Sequence, residues 1–557
     1  MGNRSSSNTR KVLSIDFPFK LPADIPVWPQ GDGFARGIID LGDLQVSQVT
    51  SFNKIWTTFE GGPGNAGATF FEPASIPEGF SMLGCYAQPN NKHLFGWVLV
   101  AKSNLSSENN GALAKPVDYS LVWTSDSLDI KQDNTGYVWL PTPPDGYKAV
   151  GHVITTSPEK PSLDRIRCVR SDLTDQTERH SWIWGPGKSS SESSDGFSVY
   201  RTRPTNRKVK DPSVPVGTFL AQINGANNST LSLPCLKNNK LDFSSMPNLP
   251  QVQALMKAYA PLMYLHPDEK YLPSSVNWYF SNGALLYTRG EESSKPVAID
   301  PSGSNLPQGG ENDGAYWIDL PQGETNKDRV IRGDLQSFQA YLHIKPMFGA
   351  TFTDISTWIF YPFNGPSRAR VVVNKSIPLG KIGEHVGDWE HVTLRISNFN
   401  GELKSVYFSQ HSGGQWVDAS ELEFQPGKNK AVAYSSLNGH ALYSKPGLIL
   451  QGTNTIGIRN DTAKSDKFVD LGEGFEVVSG EYLGSAVTEP AWLNYRREWG
   501  PKISYKIEEE LDKVEKALPA NLRSGFEKFR HSLPSELFGE EGPTGPKLKS
   551  SWDEDER

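Results

Sequence analysis

The stretch KIGEHVGDWEHVTLRI, residues 381–396, combines clustered charges with a predicted strand. Its second half, HVTLRI, has the β-branched and apolar side chains typical of strands. Because successive strand side chains point to opposite faces, Asp388 and Glu390 are predicted to project together and Trp389 to point into a core. The stretch therefore predicts a buried strand that presents two carboxylates at the rim of a β-domain.

The composition of the whole chain favours a mainly β protein with more than one core. The chain has 557 residues, of which 37% are hydrophobic, and it contains 51 glycines and 40 prolines. Short runs rich in Val, Thr, Tyr and Trp recur between these turn formers. Strands and helices do not alternate regularly along the chain, as they would in a parallel sheet. We therefore expect an antiparallel β-sandwich with peripheral helices.

Charge and cysteine content exclude several function classes. The formal net charge of −7 offers no basic field for nucleic acid, so no nucleic-acid partner is expected. Cys85, Cys168 and Cys235 fit neither a disulfide framework nor a zinc site, which favours the cytoplasm. No apolar run reaches the roughly 18 residues of a membrane span, and no apolar leader opens the chain. A soluble or peripherally attached protein is expected.

The first residues, MGNRSSSNTR, match an N-myristoylation signal, with Gly2 after the initiator and Ser6 four residues later. Arg4, Arg10 and Lys11 would add attraction to anionic lipids. A single myristoyl group binds membranes only marginally, so a second contact would be needed. The alternative is a flexible tail over residues 1–12 that matches the signal by chance.

An internal repeat is predicted in the first half. The segments FEPASIPEGFSMLG (residues 71–84) and WLPTPPDGYKAVG (139–151) share the order of their aromatic residues, prolines and glycines, although the second is one residue shorter between its prolines, and their Gly-aromatic pairs lie 67 residues apart. Weaker relatives are WPQGDGFARGIIDLG (28–42) and VPVGTFLAQ (214–222). We therefore predict a repeated β-module, prism-like or a sandwich, over residues 13–245. Two unrelated proline turns are the alternative.

The second half is predicted to be a β-sandwich over residues 246–500. VNWYFS (276–281) has a strand-like composition, whereas DLQSFQAYLHI (334–344) is predicted to form one packed helix. In residues 501–557, KIEEELDKVEKAL predicts an amphipathic helix, and the final residues are predicted to be a surface tail.

The two carboxylates suggest a cation site. Asp388 and Glu390 would repel each other, and a divalent cation or a cationic partner would relieve that repulsion. Carboxylate oxygens favour Mg²⁺, Ca²⁺ or Mn²⁺ over Zn²⁺. The alternative is a structural turn whose acids cap backbone amides and pair with Arg368 or Arg370.

Long motifs in this chain resemble a known family. GEHVGDWEHVTLRI with VYFSQHSGGQW, YAPLMYLHPDEKYLPSSVNWYF, IFYPFNGP and the closing GPTGPK are similar to the plant family named after vacuolar protein sorting-associated protein 62. The similarity extends over nearly the whole chain and implies a role in vacuolar trafficking.

A more distant resemblance links HVGDWE to the GHRHDWE heptapeptide of necrosis-inducing cytolysins of plant pathogens. In those proteins the heptapeptide lies on a β-sandwich and helps bind a divalent metal used in attachment to sphingolipid head groups. The resemblance implies a metal site with these ligands in the present chain: His385, Asp388 and Glu390, with His411 of SQHSGG and His440 of NGHALY.

Two departures from the cytolysin pattern weigh against a metal. Gly387 replaces the second histidine, and Asn364 stands where an aspartate ligand would be. The WLPTPPDGYKAVG repeat also resembles the adaptor-binding region of vacuolar protein sorting-associated protein 13, which implies a β-rich recognition module.

Three functions follow from these observations. The leading one is a non-enzymatic, peripheral trafficking protein of endosomal, vacuolar or plasma membranes that binds a lipid or glycolipid head group, a glycan or a trafficking protein partner. A glycolipid-binding defence lectin or pore-forming toxin is the alternative. A metal-dependent hydrolase using Asp388, Glu390 and His411 has no nucleophile or phosphate-binding motif beside it. His266, Asp268 and Glu269 are explained equally well by a polar turn and stay outside the predicted site.

Overall fold

The computed structural model describes most of the chain and confirms a mainly β fold. The described residues are 13–104, 111–126, 128–185, 196–223, 232–290, 295–372, 375–411, 413–453, 455–502, 506–531 and 543–557. The predicted flexible tail, with the lipidation candidate Gly2, lies outside them. None of the described helices is long and apolar enough to cross a membrane.

The first half consists of short antiparallel strands. In chain order they are β1 (Ile38–Asp40), β2 (Leu44–Val49), β3 (Phe52–Thr57), β4 (Ala68–Pro73), β5 (Ser81–Met82), β6 (Tyr86–Pro89), β7 (Val98–Ser103), β8 (Leu113–Ala114), β9 (Asp118–Thr124), β10 (Tyr137–Thr142), β11 (Tyr147–Lys148), β12 (Val153–Thr155), β13 (Cys168–Arg170), β14 (Thr174–Asp175), β15 (Thr177–Trp184), β16 (Phe197–Pro204), β17 (Ser213–Val214), β18 (Phe219–Ile223) and β19 (Cys235–Lys237).

Strands β2 to β19 form three copies of one six-strand unit. In each copy the second, third and fifth strands make one sheet, ordered β3-β4-β6, β9-β10-β12 and β15-β16-β18. The first, sixth and fourth strands make another, ordered β2-β7-β5, β8-β13-β11 and β14-β19-β17. Strand β1 adds to the edge of the first copy. The first half is therefore a prism-like module with threefold internal symmetry.

The Gly-aromatic turns occupy equivalent positions in the first two copies, which confirms the predicted repeat. Phe80 N donates to Pro77 O and Tyr147 N to Pro144 O, each at 3.1 Å, just before the fourth strand. Gly79 and Gly146 both have φ of +80°, as the third residue of a type II turn requires.

The third copy contains VPVGTFLAQ, one of the two weaker sequence relatives. Gly84, Gly151 and Thr218 are spaced by 67 residues and meet where the copies converge. A Cβ on Gly84 would lie 2.7 Å from the Gly151 Cα, so the close approach requires glycine. The other weak relative is not a copy: its Trp28 donates Nε1–H to Asn400 O at 3.0 Å in the second half.

The second half is built around a six-stranded sheet. Its strands are β20 (Leu262–Tyr264), β21 (Leu285–Thr288), β22 (Val297–Ala298), β23 (Tyr316–Asp319), β24 (Ala340–Met347), β25 (Phe352–Asn364), β26 (Arg368–Val372), β27 (Lys375–Pro378), β28 (His385–Ser397), β29 (Leu403–Gln410), β30 (Gly413–Asp418), β31 (Val432–Ser435), β32 (Leu442–Tyr443), β33 (Gly447–Gly452), β34 (Gly457–Thr462), β35 (Phe468–Asp470) and β36 (Phe475–Ser479). The helices are α1 (Leu249–Tyr259), α2 (Val276–Ser281), α3 (Glu324–Ile331), α4 (Ile507–Ala517) and α5 (Ala520–Arg530).

The central sheet has the order β30-β29-β28-β25-β24-β36, with β28 at its middle. All its neighbours pair antiparallel except β24 and β36, which pair parallel. On one face of β28, Val392 and Leu394 pack with α1. On the other, Trp389 packs into a second aromatic core. The sheet is therefore covered on both faces and can position buried polar groups.

Two local predictions were wrong. VNWYFS is helix α2, because the Ser275 hydroxyl caps it by accepting a bond from Trp278 N at 3.0 Å. The predicted helix over residues 334–344 is a 3₁₀ turn, Leu335–Ser337, followed by β24. Strand β24 is buried throughout and bonded on both sides, so pairing in the sheet overrides the local helical spacing.

The C-terminal region agrees only in part with its prediction. Helices α4 and α5 are amphipathic and bury Ile507, Leu511 and Phe526 in a core shared with β26. The predicted surface tail is wrong, because Trp552 and Glu556 are 6% and 3% exposed. Their burial follows from ion pairs and aromatic contacts with the central sheet.

The two halves are joined by polar and apolar contacts. Ser397 donates to Gln48 at 2.9 Å, Lys92 pairs with Asp418 at 2.6 Å, and Phe399 belongs to a core of first-half residues. The domain boundaries near residues 245 and 500 stay predictions, since apolar clusters extend across the first of them.

Candidate functional site

Asp388, the centre of the predicted site, is held by a buried histidine. His440 is fully buried, and its Nδ1 lies 3.0 Å from Asp388 Oδ2. Its Nε2 lies 3.2 Å from Tyr271 O and 3.9 Å from Glu269, and its ring stacks on Tyr361 at 3.8 Å. Burial opposes ionisation of Asp388, but His440 and His385 outweigh it and lower its pKa. The pair is a buried structural contact.

Glu390 lies in a different environment from Asp388. It is 6% exposed and accepts a hydrogen bond from the Ser409 hydroxyl. Burial, together with the charge of Asp388, raises the pKa of Glu390 well above its usual value. The pKa values of the two carboxyl groups are therefore shifted in opposite directions. A cavity of about 130 Å³ lies beside Glu390, Ser409 and His411.

The other side chains considered for the metal site form hydrogen bonds with groups outside the predicted ligand set. His385 Nδ1 lies 2.7 Å from Gly387 O, and His411 Nε2 lies 3.1 Å from Asn460 Oδ1. Asn364 donates to Gly383 O at 2.6 Å. Gly387 has φ of +69°, and a Cβ there would lie 2.5 Å from Trp499 O, so a histidine does not fit at this position without a backbone shift.

The structure does not assemble the five predicted metal ligands into one site. Asp388 and His440 are in contact and Glu390 and His411 border one cavity, while His385 binds its own backbone. Within the described part of the chain, no group of three or more His, Cys, Asp or Glu side chains could hold a metal ion. The divalent cation stays a prediction, without support from this geometry.

The raised pKa of Glu390 leads to a testable prediction for stability. Because its folded pKa lies above the unfolded value of about 4.5, the wild type should lose stability relative to Glu390→Gln as the pH rises above that value. At lower pH the two proteins should differ little. Denaturant unfolding over a pH series measures this, with the exposed Glu473→Gln as control. A wild type that gains stability over the variant as the pH rises would mean that Glu390 is ionised in the fold.

A larger cavity, of about 250 Å³, lies between the prism-like module and the central sheet. We call it the junction cavity. Its walls are aromatic and cationic, and are contributed by both halves: Phe95, Trp97, Arg201, Phe352, Arg395 and Trp416. Trp97 packs on Phe352 with ring centroids 5.3 Å apart. The cavity combines apolar walls with a few charged groups, the usual character of a small-molecule site.

Three arginines and a lysine line the junction cavity: Arg201, Arg203, Arg395 and Lys404. Arg395 lies between Phe348 and Trp416, at 4.6 and 4.0 Å from their ring centroids, and is paired with Asp354. Arg201 lies 3.8 Å from Asp418, which Lys92 holds more closely at 2.6 Å. Because Asp418 is shared, Arg201 is the cation best placed to meet a ligand.

Sequence reasoning missed these groups for a clear reason. Arg201 and Trp97 come from the first half, whereas Trp416 comes from the second, and no local motif marks them. Glu269, which was left outside the predicted site, lies beside His440 through the same kind of long-range contact.

The chain is similar to a curated protein and to several solved structures. A yeast relative, vacuolar protein sorting-associated protein 62 of Saccharomyces cerevisiae, is 27% identical over 182 residues, which is 29% of this chain and 37% of the relative. Solved structures include GNIP1Aa from Chromobacterium piscinae, with 18% identity and a TM-score of 0.29 over 39% of this chain and 40% of that one.

A second solved structure is Necrosis and Ethylene inducing Protein 2 from the causal agent of cocoa's witches' broom disease. It is 17% identical, with a TM-score of 0.17 over 33% of this chain and 76% of that one. Likenesses this low say nothing about activity. The family described as vacuolar protein sorting-associated protein 62, by contrast, matches residues 15–556. The chain therefore belongs to the vacuolar protein sorting-associated protein 62 family, as its motifs predicted.

Proposed function

We propose that this protein is a non-enzymatic component of vacuolar trafficking that acts peripherally on a membrane, and that its junction cavity binds the head group of a lipid or glycolipid. The family supports the trafficking role. The observation that carries the binding site is the cavity of about 250 Å³ with aromatic walls and Arg201 beside it. Pockets for drug-sized ligands measure roughly 300–1,000 Å³, so a cavity just below this range suits a small head group.

The chemistry of the cavity favours binding over catalysis. Its three carboxylates are each held by a cation: Asp418 by Lys92, Asp555 by Arg395 and Glu556 by Lys345. A carboxylate held in this way is a weak general base. Arginine, in contrast, offers a planar fork of donors that matches phosphate, and aromatic walls cover the apolar faces of a ring.

Vesicle co-sedimentation tests this function. We expect binding to phosphatidylcholine vesicles that contain either a phosphoinositide or a neutral glycosphingolipid, and not to phosphatidylcholine alone. Arg201→Gln should weaken that binding about tenfold or more, since a hydrogen bond to a charged group contributes about 1.5–3 kcal/mol. Arg179→Gln is the matched control, because Arg179 is an exposed arginine of β15, the strand next to Arg201 on β16.

The outcomes separate the alternatives. Equal binding of all vesicles, or full binding by Arg201→Gln, would contradict the junction cavity as the site. Preference for the phosphoinositide or for the glycolipid identifies the head group. A parallel series with chelator tests the cation prediction, and head-group hydrolysis would contradict the non-enzymatic role.

A further inference from the structure

A second polar site lies on the face of the central sheet opposite α1. Side chains of β24 and β28 form a cleft there, together with Arg207 of the first half, and we call it the cationic cleft: Arg207, Lys345, His391, Thr393 and Arg395. The side chain of Lys345 is fully buried, and those of Arg207 and Arg395 are each 13% exposed. Buried cations are stable only when they are paired.

The C-terminal segment, residues 551–557, fills this cleft. Lys345 Nζ donates to Ser551 O at 2.9 Å, to Glu554 O at 3.2 Å and to Glu556 Oε1 at 3.3 Å. All three contacts are with the segment. Among the described residues, the ion pair of Lys345 is with Glu556.

Side chains of the cationic cleft bind both carboxylate oxygens of Glu556. Its Oε2 lies 3.1 Å from His391 Nε2, and Thr393 donates to its Oε1 at 2.8 Å. Although burial opposes ionisation, Lys345 and His391 outweigh it and lower the pKa of Glu556. The cleft therefore binds this side chain as a carboxylate.

Asp555 and the backbone complete the recognition. Asp555 pairs with Arg395 and lies 3.3 Å from Arg207. Asp555 N donates to Arg207 O, and Val209 N donates to Asp553 O, each at 2.9 Å, so the segment forms an antiparallel backbone bridge with residues 207–209. Trp552 stacks on His343 at 3.8 Å.

These contacts are those of a bound peptide. Backbone pairing along an edge gives affinity, and side-chain pockets give specificity, as in recognition by strand addition. Asp354 pairs with Arg395 and Glu178 with Arg207, whereas the carboxylate for Lys345 comes from the segment. The cleft therefore requires an acidic occupant.

We propose that the cationic cleft is a recognition site for acidic peptides, in which a tryptophan is followed by carboxylates at the third and fourth positions. The chain's own C-terminal segment occupies it in cis. An acidic segment of a partner protein takes its place in trans. The cleft borders the junction cavity, because Arg395, Asp555 and Glu556 line both, but peptide binding is measured without lipid and can fail independently of head-group binding.

The test uses the full chain with a weakened segment. A labelled peptide of residues 551–557 is titrated into the Asp555→Asn/Glu556→Gln chain and followed by fluorescence anisotropy. We expect saturable binding, at least about tenfold tighter than to the wild-type chain, whose own segment competes. The same peptide with both substitutions should bind at least about tenfold more weakly than the unmodified peptide.

Two controls define the outcome. Adding Lys345→Met should abolish binding, whereas Lys430→Met, which removes the similarly buried lysine paired with Asp470, should not. A folded variant that binds neither peptide, or both equally, overturns the proposal. If the variant does not fold, the wild type is tested with a peptide that keeps Trp552 and carries a photocrosslinker in place of Ser551, at a concentration high enough to displace the chain's own segment. Crosslinks to Lys345 or Trp358, which lie beside Ser551, support the site, and their absence overturns it.

Discussion

Replacing Trp389 with alanine is expected to lower the free energy of unfolding by about 3–5 kcal/mol. Trp389 is 4% exposed, and its ring stacks on Trp492 at 5.5 Å and meets Phe360 at 5.1 Å and Trp499 at 5.2 Å. The truncation would leave a cavity in a close-packed aromatic core, since the neighbouring rings belong to different elements and cannot all move inward.

Denaturant unfolding followed by circular dichroism measures this loss. Trp389→Phe should lose less, because most of the ring contacts survive. Phe468→Ala is the matched control, since that aromatic side chain of the same half is 50% exposed and should change stability little. A loss below about 1 kcal/mol for Trp389→Ala would contradict its role as the anchor of β28.

Glu556→Ala is expected to be nearly as destabilising, by about 3–5 kcal/mol, because it leaves the buried Lys345 without its carboxylate. The effect should depend on pH. Glu556 has a folded pKa below the unfolded value of 4.5, so its contribution is present above that pH and is lost as the pH falls towards the folded pKa.

Unfolding experiments at pH 7 and in the acid range test both parts. The difference between the wild type and Glu556→Ala should shrink as the medium becomes more acidic than about pH 4.5. The control is Arg557→Ala, whose side chain is 72% exposed and should contribute little. Equal stability of Glu556→Ala and the wild type at pH 7 would show that the C-terminal segment does not hold Lys345.

Patterns that depend on neighbours in the sequence were read correctly from it. The alternation around Trp389 predicted which side chain enters the core, because strand geometry sends successive residues to opposite faces. The matching prolines, glycines and aromatic residues around Gly79 and Gly146 predicted the repeat, and both glycines have the positive φ that a type II turn requires. Helix α4 was also predicted correctly, because its apolar side chains recur at the spacing of one helical face.

Features that depend on contacts between residues far apart in the sequence could be assigned only from the tertiary structure. Strand β24 was mistaken for a helix, because hydrogen bonds on both of its edges decide its conformation. Asp388 and Glu390 lie two residues apart, yet their pKa values shift in opposite directions, because His440 binds Asp388 while burial and the charge of Asp388 act on Glu390. The C-terminal acids looked like a solvated tail, since nothing near them in sequence marks Lys345 and Arg395 as partners. Local geometry thus follows from the sequence, whereas charge pairing across hundreds of residues is decided only when the sheets bring those residues together.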